Sequence, residues 1–196
     1  MAEIRSGRYE RKGVIPLADS NITKRALASA LRELMQEMPF EKITVSHICE
    51  RCDMNRKSFY YHFRDKYDLV NWIFDMEFIA LLKNSPLDKW SFFELTSGYF
   101  YENKAFYSKA LQIKGQNSFS DHFREFLCPL IRSRMEEIIG HQDVPQICVD
   151  FLADGFLCAL ERWLLDKNAM PPETFLAVLR PMLEAIAKDI CQETEH

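Results

Sequence analysis

The sequence predicts an all-α protein with a three-helix N-terminal head and a larger helical C-terminal domain. Apolar residues recur every three or four positions in nearly all stretches after residue 21, which is the spacing of one face of an α-helix. Residues that favour helix starts and turns separate these stretches. The clearest joint, Asn84-Ser85-Pro86, is short, and the composition changes beyond it. We therefore expect a flexible arm over 1–20, a head over 21–66 and a second domain over 67–196.

The arm and the first helix differ in pattern. Residues 1–20 contain four basic side chains scattered among Ser, Gly and Pro with little apolar periodicity, which is typical of a flexible tail. Helix 1 is predicted to start at Thr23 and to end at Pro39, where the ring blocks a further turn. Its apolar stripe is Leu27, Leu31, Leu34 and Met38. Lys24 and Arg25 lie in the first turn, where positive charge opposes the helix dipole, so this end is expected to face an anion.

Two short helices joined by a tight turn follow at residues 44–63. The first is predicted to begin after Thr44, whose hydroxyl can accept a hydrogen bond from an N–H group one turn on. Asp53 and Asn55 favour a turn, and Asp53 tolerates a left-handed backbone. The second helix has Phe59 and Phe63 on one side. Its other side is basic and aromatic, with Arg56, Lys57, Tyr60 and Tyr61. The pattern predicts a helix-turn-helix with an exposed reading helix, which is a DNA-binding geometry.

The charge distribution also favours contact with DNA through the head. Residues 1–70 contain 13 Lys and Arg against 10 Asp and Glu, whereas residues 71–196 contain 12 against 19. A basic head on an acidic body is expected when only the head approaches phosphate. The alternative is a helix-turn-helix that never binds DNA, with its aromatic residues in the core. If the head reads duplex DNA, the predicted contacts come from Thr44, Arg56, Lys57, Ser58, Tyr60, Tyr61, His62, Lys66 and Lys24.

The head resembles the TetR family of bacterial transcriptional regulators. The matching residues are Thr44-Val45, Ile48-Cys49, Cys52, Phe59-Tyr60-Tyr61-His62-Phe63, Lys66 and Leu69. The sequence departs from the family pattern with Cys49 and Cys52 in place of Ala, Asp53 in place of a turn Gly, and His62 in place of the commoner Tyr. Segments 101–103 and 115–117 resemble the subgroup that contains regulators of dihydroxyacetone kinase. The resemblance implies a homodimer, and two-fold symmetry then requires a near-palindromic operator. We expect a repressor rather than an activator.

The first part of the C-terminal domain is rich in aromatic residues. A helix over 65–82, capped by Asp65, leads into it, and eleven aromatic side chains lie between residues 90 and 126. Three helices are predicted there: 89–102, 104–112 and 118–139. Pro129 lies inside the last and is expected to bend it. This region is either a solid core or the wall of a cavity for a small apolar or aromatic ligand that releases the DNA. The candidate wall residues are Phe93, Tyr99, Phe100, Tyr107 and Phe126.

The last two predicted helices, 145–166 and 172–190, are apolar on several faces. The core of one chain can cover only some of these faces, so the others need a second surface against which they are buried. Gly155 would let another helix approach closely. We expect two helices from each subunit to form a four-helix dimer interface, as the family resemblance also implies. The candidate interface residues are Phe151, Gly155, Phe175, Leu179, Met182 and Ile186.

Other classes of protein fit the sequence less well. Cys49 and Cys52 with His47 and His62 supply a Cys-x2-Cys pair, but structural zinc sites place such a pair on a knuckle rather than within a helix, so no metal is expected. No glycine-rich phosphate loop, nucleophile elbow or His-Glu-x-x-His motif is present, so neither an enzyme nor a cofactor is expected. A helical adaptor that binds another protein through its apolar C-terminal helices stays as the alternative.

The sequence also predicts where the protein resides. No run approaches the ~18–20 apolar residues that cross a membrane. The N-terminus lacks the apolar segment of a secretory signal. We therefore expect a cytoplasmic protein whose six cysteines are reduced.

Overall fold

The computed structural model describes residues 17–83, 90–115, 117–139 and 144–193, which form helices and turns without a β-strand. The all-α prediction is confirmed. The α-helices in this part of the chain are α1 Leu17–Glu37, α2 Val45–Arg51, α3 Arg56–His62, α4 Lys66–Phe74, α5 Ala80–Lys83, α6 Ser91–Glu102, α7 Lys104–Ala110, α8 Phe119–Ile139, α9 Gln146–Leu165 and α10 Pro172–Glu193. None of these helices combines the length and apolarity needed to cross a membrane.

The predicted arm and joint lie largely outside the described residues. The basic residues of the arm belong to positions 1–16, and the joint falls in 84–89. Residues 17–22, which were expected before the first helix, are helical and extend α1 beyond its predicted start. Polar residues are tolerated in the first turns of a helix, so periodicity alone placed the start too late.

The head packs three helices around a small core. The predicted stripe of α1 is buried at Leu27, Leu31 and Leu34, and Ile48 of α2 and Phe59 of α3 are fully buried against it. A short 3-10 turn, Phe40–Lys42, joins α1 to α2. An ion pair braces the same two helices, because Arg51 donates to both carboxylate oxygens of Glu37 at 2.8 and 2.6 Å.

A π-helical turn, Asp75–Ile79, lies between α4 and α5. The sequence predicted an uninterrupted helix over this region, because a π-turn has no distinct apolar period. Phe74 directly precedes this turn and Phe78 lies within it. Both are fully buried, and their rings stack with centroids 5.0 Å apart. The turn therefore anchors the helix that connects the head to the C-terminal domain.

The C-terminal domain is built from α6 to α10, and its helix bounds agree with the predicted ones to within a few residues. Helix α8 continues through Pro129, and α10 continues through Pro181. A single cluster of buried apolar side chains extends from α1 to α10 among the described residues. The head is therefore packed onto the second domain rather than attached by a linker.

Candidate nucleic-acid interface

Helix α2 starts with a reciprocal cap at Thr44. The threonine Oγ1 accepts a hydrogen bond from the backbone N–H of His47 at 3.2 Å, and His47 Nδ1 accepts one from the Thr44 N–H at 3.3 Å. This is a capping box with His47 in the position usually held by Glu or Gln. The cap predicted at Thr44 is confirmed, and this residue is exposed at the surface.

The turn between α2 and α3 uses a left-handed residue and a second cap. Asp53 has φ +53°, as the sequence predicted for this position in place of glycine. Asn55 Oδ1 accepts hydrogen bonds from the backbone N–H of Ser58 at 2.9 Å and from its hydroxyl at 3.2 Å. The sequence analysis assigned Asn55 only to the turn, although Asn directly before a basic helical segment is itself a cap signal. Ser58, a predicted DNA contact, donates its hydroxyl to this cap.

Helix α3 has one buried and one exposed face. Phe59 and Phe63 are buried, with ring centroids 5.7 Å apart, and fix the helix on the head. Arg56 and Lys57 are exposed on the other face, together with Tyr60 (52% exposed) and Tyr61 (68% exposed). A tyrosine so exposed gains little from the core, so this face is available for a partner.

A hydrogen bond preorders part of the exposed face of α3. Arg56 donates to the Tyr60 hydroxyl at 3.4 Å, and its guanidinium lies 5.8 Å from the centroid of that ring. This arrangement holds a cation and a phenol side by side one helical turn apart. Both are groups that contact phosphates and base edges.

Lys24 lies close enough to His62 for its charge to act on that ring. The Lys24 ammonium lies 5.7 Å from the centroid of the Trp72 ring. Partial burial, and secondarily the charge of Lys24, lowers the pKa of His62. His62 is half-buried and packs edge-on against Tyr61 at 4.8 Å, so it supports the exposed tyrosine.

Lys66 was predicted to contact the phosphate backbone of DNA, but its ammonium group is hydrogen-bonded within the chain. Its Nζ donates to the carbonyl oxygens of Phe40 at 2.6 Å, Ile43 at 2.8 Å and Glu41 at 3.3 Å. These bonds use the three N–H groups of the ammonium, and burial lowers its pKa. Asp65 also accepts from the first backbone N–H groups of α4, which confirms the predicted cap but occupies donors expected to face phosphate. Lys66 therefore ties the α1–α2 connection to α4.

Cys49 of α2 and Cys52, directly after this helix, pack inside the head. Cys49 is buried, and Cys52 is half-buried with its Sγ donating to the Ile48 carbonyl at 3.3 Å. Burial raises the pKa of both thiols. Both side chains act as small apolar residues, as expected where the resembling family has Ala.

The aromatic residues predicted to surround a ligand mostly form solid core. Phe100 and Tyr107 are fully buried, with ring centroids 4.5 Å apart, and Phe126 packs against Phe74 and Phe78. Ring-on-ring contacts at these distances leave no room between the side chains. This corrects the predicted pocket. Aromatic side chains at a helical spacing can either line a cavity or fill it, and the sequence pattern is the same in both cases.

A small apolar cavity of about 30 Å³ lies further along the domain, and Phe93 is the member of the predicted set that lines it. Its other walls are Trp90, Ile131, Arg134, Met135, Leu152, Phe156 and Leu183. A space of this size holds one or two water molecules, so a larger ligand would have to separate the surrounding helices.

The predicted dimer residues divide into two groups. Phe175 is 7% exposed and stacks on Trp163 with ring centroids 4.3 Å apart, so it belongs to the core of its own chain. This corrects its assignment to the interface. Phe151 is 64% exposed, Met182 is also exposed, and a Cβ added at Gly155 would meet nothing within 4 Å. Leu179 and Ile186 are partly buried against the core.

Comparison with known proteins gives two family matches. Residues 27–73 match the model for bacterial regulatory proteins of the tetR family, and residues 88–185 match the model for a transcriptional regulator C-terminal region of TetR type. The first match covers the helix-turn-helix and α4, and the second covers half of the chain.

Individual relatives agree with these matches. The chain is 34% identical over 126 residues to the HTH-type dhaKLM operon transcriptional activator DhaS of Lactococcus lactis subsp. lactis (strain IL1403), a region that covers 63% of this chain and 64% of that protein. A solved TetR transcriptional regulator from Streptococcus agalactiae 2603V superposes with a TM-score of 0.69 at 25% identity over 85% of this chain and 96% of its own. A structure of the dihydroxyacetone kinase operon activator DhaS superposes with a TM-score of 0.57 at 24% identity over 86% and 97%.

Proposed function

Because the chain belongs to the TetR family of bacterial regulatory proteins, we propose that it regulates transcription by reading duplex DNA with α3. The observation that carries this proposal is the exposed face of α3, where Arg56, Lys57, Tyr60 and Tyr61 stand clear of the core. Buried Phe59 holds the opposite side of the helix. A short helix capped at one end and anchored below presents side chains at fixed positions, which base recognition requires.

The proposed contacts follow from the exposure of each side chain. Arg56, Lys57, Tyr60 and Tyr61 reach bases or phosphates, and exposed Thr44 reaches phosphate with its hydroxyl hydrogen. Lys24 and His62 border the same face and supply outer contacts. Ser58 and Lys66 serve the head instead, by capping α3 and by holding the connection before α2.

We further propose that the exposed parts of α9 and α10 pair with a second copy of the chain. Ile147, Phe151, Gly155 and Cys158 follow one another at spacings of four, four and three along the exposed side of α9. On α10, Val178 and Met182 are exposed one turn apart. Large apolar side chains in a row seek burial, and a two-fold pair of such helices gives a closed dimer. Two heads then read a near-palindromic operator.

The direction of regulation has two candidate answers. The sequence analysis favoured a repressor, but the relative from Lactococcus lactis is named a transcriptional activator, as is the related solved structure. We propose activation as the second candidate on the strength of that similarity. Transcription in vitro from a promoter that carries the bound site decides between them, since added protein raises or lowers the transcript. Either role places the protein with the chromosome, in the cytoplasm.

A regulatory ligand is proposed at the cavity beside Trp90 rather than at the aromatic core. The cavity walls come from α6, α8, α9 and α10, so a ligand that enlarges it moves helices of the proposed dimer face. A small apolar molecule is the chemical class that such walls accept. A screen that measures operator affinity tests this, and Phe156→Trp, which fills the cavity, should abolish any response.

Selection of bound sequences from random duplex DNA tests the proposed function. The enriched site should be near-palindromic, with half-sites about one helical turn or a multiple of it apart. Lys57→Ala and Tyr60→Ala should each weaken binding of that duplex by about tenfold, as expected for the loss of ~1–3 kcal/mol per contact. Lys167→Ala, an exposed lysine on the C-terminal domain, is the matched control and should change nothing.

Failure to enrich any sequence would reject the DNA-reading function. The same result would favour the adaptor alternative, in which the apolar surface of α9 and α10 binds another protein.

A further inference from the structure

The π-turn Asp75–Ile79 lies where the helix that leaves the head enters the C-terminal domain. π-turns are uncommon within helices and frequently occur at functional positions. Its polar side chains reach helices of both domains: Glu77 contacts α1 of the head and α6, and Asp75 contacts α8. The turn is thus bound from both sides by side chains rather than by backbone pairing.

Glu77 is the centre of these contacts. One of its carboxylate oxygens, Oε2, accepts a hydrogen bond from Arg32 of α1 at 2.5 Å and from the hydroxyl of Tyr99 of α6 at 2.7 Å. The Arg32 guanidinium also lies 4.3 Å from the centroid of the Phe106 ring on α7. One oxygen of Glu77 is therefore shared by a donor from the head and a donor from the C-terminal domain.

A second hydrogen bond extends the connection into the core. The Tyr99 and Tyr107 hydroxyls are 2.9 Å apart, and Tyr107 is fully buried. Burial raises the pKa of both tyrosines, so both hydroxyls stay protonated. Because Tyr99 has one hydrogen and donates it to Glu77, Tyr107 donates to Tyr99. The chain Tyr107–Tyr99–Glu77 therefore runs in one direction and ends on a charged acceptor that Arg32 shares.

Asp75 provides a separate tie at the start of the turn. Its Oδ1 lies 2.8 Å from Nε2 of His122 on α8, and the His122 ring packs edge-on against Phe74 with centroids 6.0 Å apart. This contact binds the turn to the C-terminal domain without touching the head. Glu77 is thus the group in the turn whose described contacts reach both.

We propose that Glu77 is a coupling point: with Arg32 and Tyr99 both bound, it holds the head in one orientation relative to the C-terminal domain. Loss of either bond leaves other contacts between the head and α7, such as that of Arg32 with the Phe106 ring and the bond from Lys109 to the Met35 carbonyl, and widens the range of orientations that the head samples. Both bonds end on the same carboxylate oxygen and are charge-assisted, so both contribute to this restraint. Only the consequence for DNA affinity rests on the proposed function.

The orientation of the head can be measured directly. Spin labels carried by unnatural amino acids at Glu50 of α2 and Lys167 after α9, both exposed, report the head-to-domain distance and leave the native cysteines untouched. Dilution with unlabelled protein keeps one labelled chain in each assembly. Tyr99→Phe removes one hydroxyl and keeps the ring, and Glu77→Gln keeps the shape and removes the charge.

Both variants should broaden the distribution of this distance relative to the wild-type chain. Each should also lower affinity for the selected duplex by about fivefold or more, the lower end of typical coupling between sites. Glu37→Gln is the matched control, because it weakens an exposed ion pair that lies wholly within the head. Its distance distribution should match that of the wild type.

Two results would overturn the coupling. One is an unchanged distance distribution in folded Tyr99→Phe and Glu77→Gln. The other is equal broadening in Glu37→Gln, which would indicate general loosening. If the wild-type protein binds no duplex and the two variants still broaden the distribution, the coupling stands and the DNA-reading function fails.

Discussion

Replacing Lys66 with Met separates the two roles considered for this lysine. Methionine keeps an unbranched apolar stem over the Phe40 ring, from whose centroid the ammonium lies 4.3 Å, and removes the charge and the donors. The carbonyl oxygens of Phe40 and Ile43 then lose bonds of 2.6 and 2.8 Å. The connection between α1 and α2 loses its main tie to α4.

The expected cost follows from the number and quality of these bonds. Hydrogen bonds to a charged group contribute roughly 1.5–3 kcal/mol each, and water can reach part of this site, so two strong bonds give about 2–4 kcal/mol. For a chain of this size, each kcal/mol lowers the melting temperature by about 2–4 °C. Lys66→Met should therefore melt about 5–15 °C below the wild type, measured by circular dichroism.

The salt dependence of DNA binding provides the decisive comparison. A lysine that contacts phosphate adds about one unit to the slope of log affinity against log salt. Lys57→Met should lower that slope by about one unit and leave the melting temperature unchanged, since Lys57 is exposed. Lys66→Met should show the reverse. A Lys66→Met protein with wild-type stability and a reduced slope would refute the positioning role.

Three further predictions concern other parts of the chain. Phe151→Glu should yield folded monomers in sedimentation experiments, because a lone charge is tolerated on the free surface but not in a buried interface. Phe175→Glu should instead unfold the chain, because Phe175 is buried in the core. A dimeric Phe151→Glu protein would contradict the proposed interface. The hydrogen bond that His122 donates to the Asp75 carboxylate raises the pKa of His122. The stabilisation from this pair is therefore full below the unfolded pKa near 6.5 and is lost as pH rises through the higher folded pKa. Melting temperatures of His122→Gln should lack that decline, and identical pH profiles would disprove the contribution. Asn55→Ala should cost about 1 kcal/mol of stability by urea unfolding and weaken DNA binding, as loss of a helix cap requires; an unchanged urea midpoint would argue against the cap.

Local features of the sequence were sufficient for most helices of the head and for its exposed face. Thr44 and Asp65 cap helices, and Asp53 turns the chain, because these effects depend on residues within one helical turn. The opposition of Phe59 to Arg56 follows from the helical repeat alone. The basic and aromatic reading face was therefore predictable without knowledge of the rest of the fold.

Tertiary structure decided which apolar and charged side chains contact another part of the chain and which stay at the surface. Phe175 and Phe151 look alike in a helical pattern, but only the packing of α9 against α10 brings Trp163 onto Phe175 and leaves Phe151 at the surface. Lys66 carries a cation at a helix start, and only the folded connection after α1 places three carbonyl oxygens around it. The bond from Arg32 to Glu77 spans 45 residues of sequence. Periodicity records which face of a helix is apolar, but it holds no information about the distant side chain that meets that face.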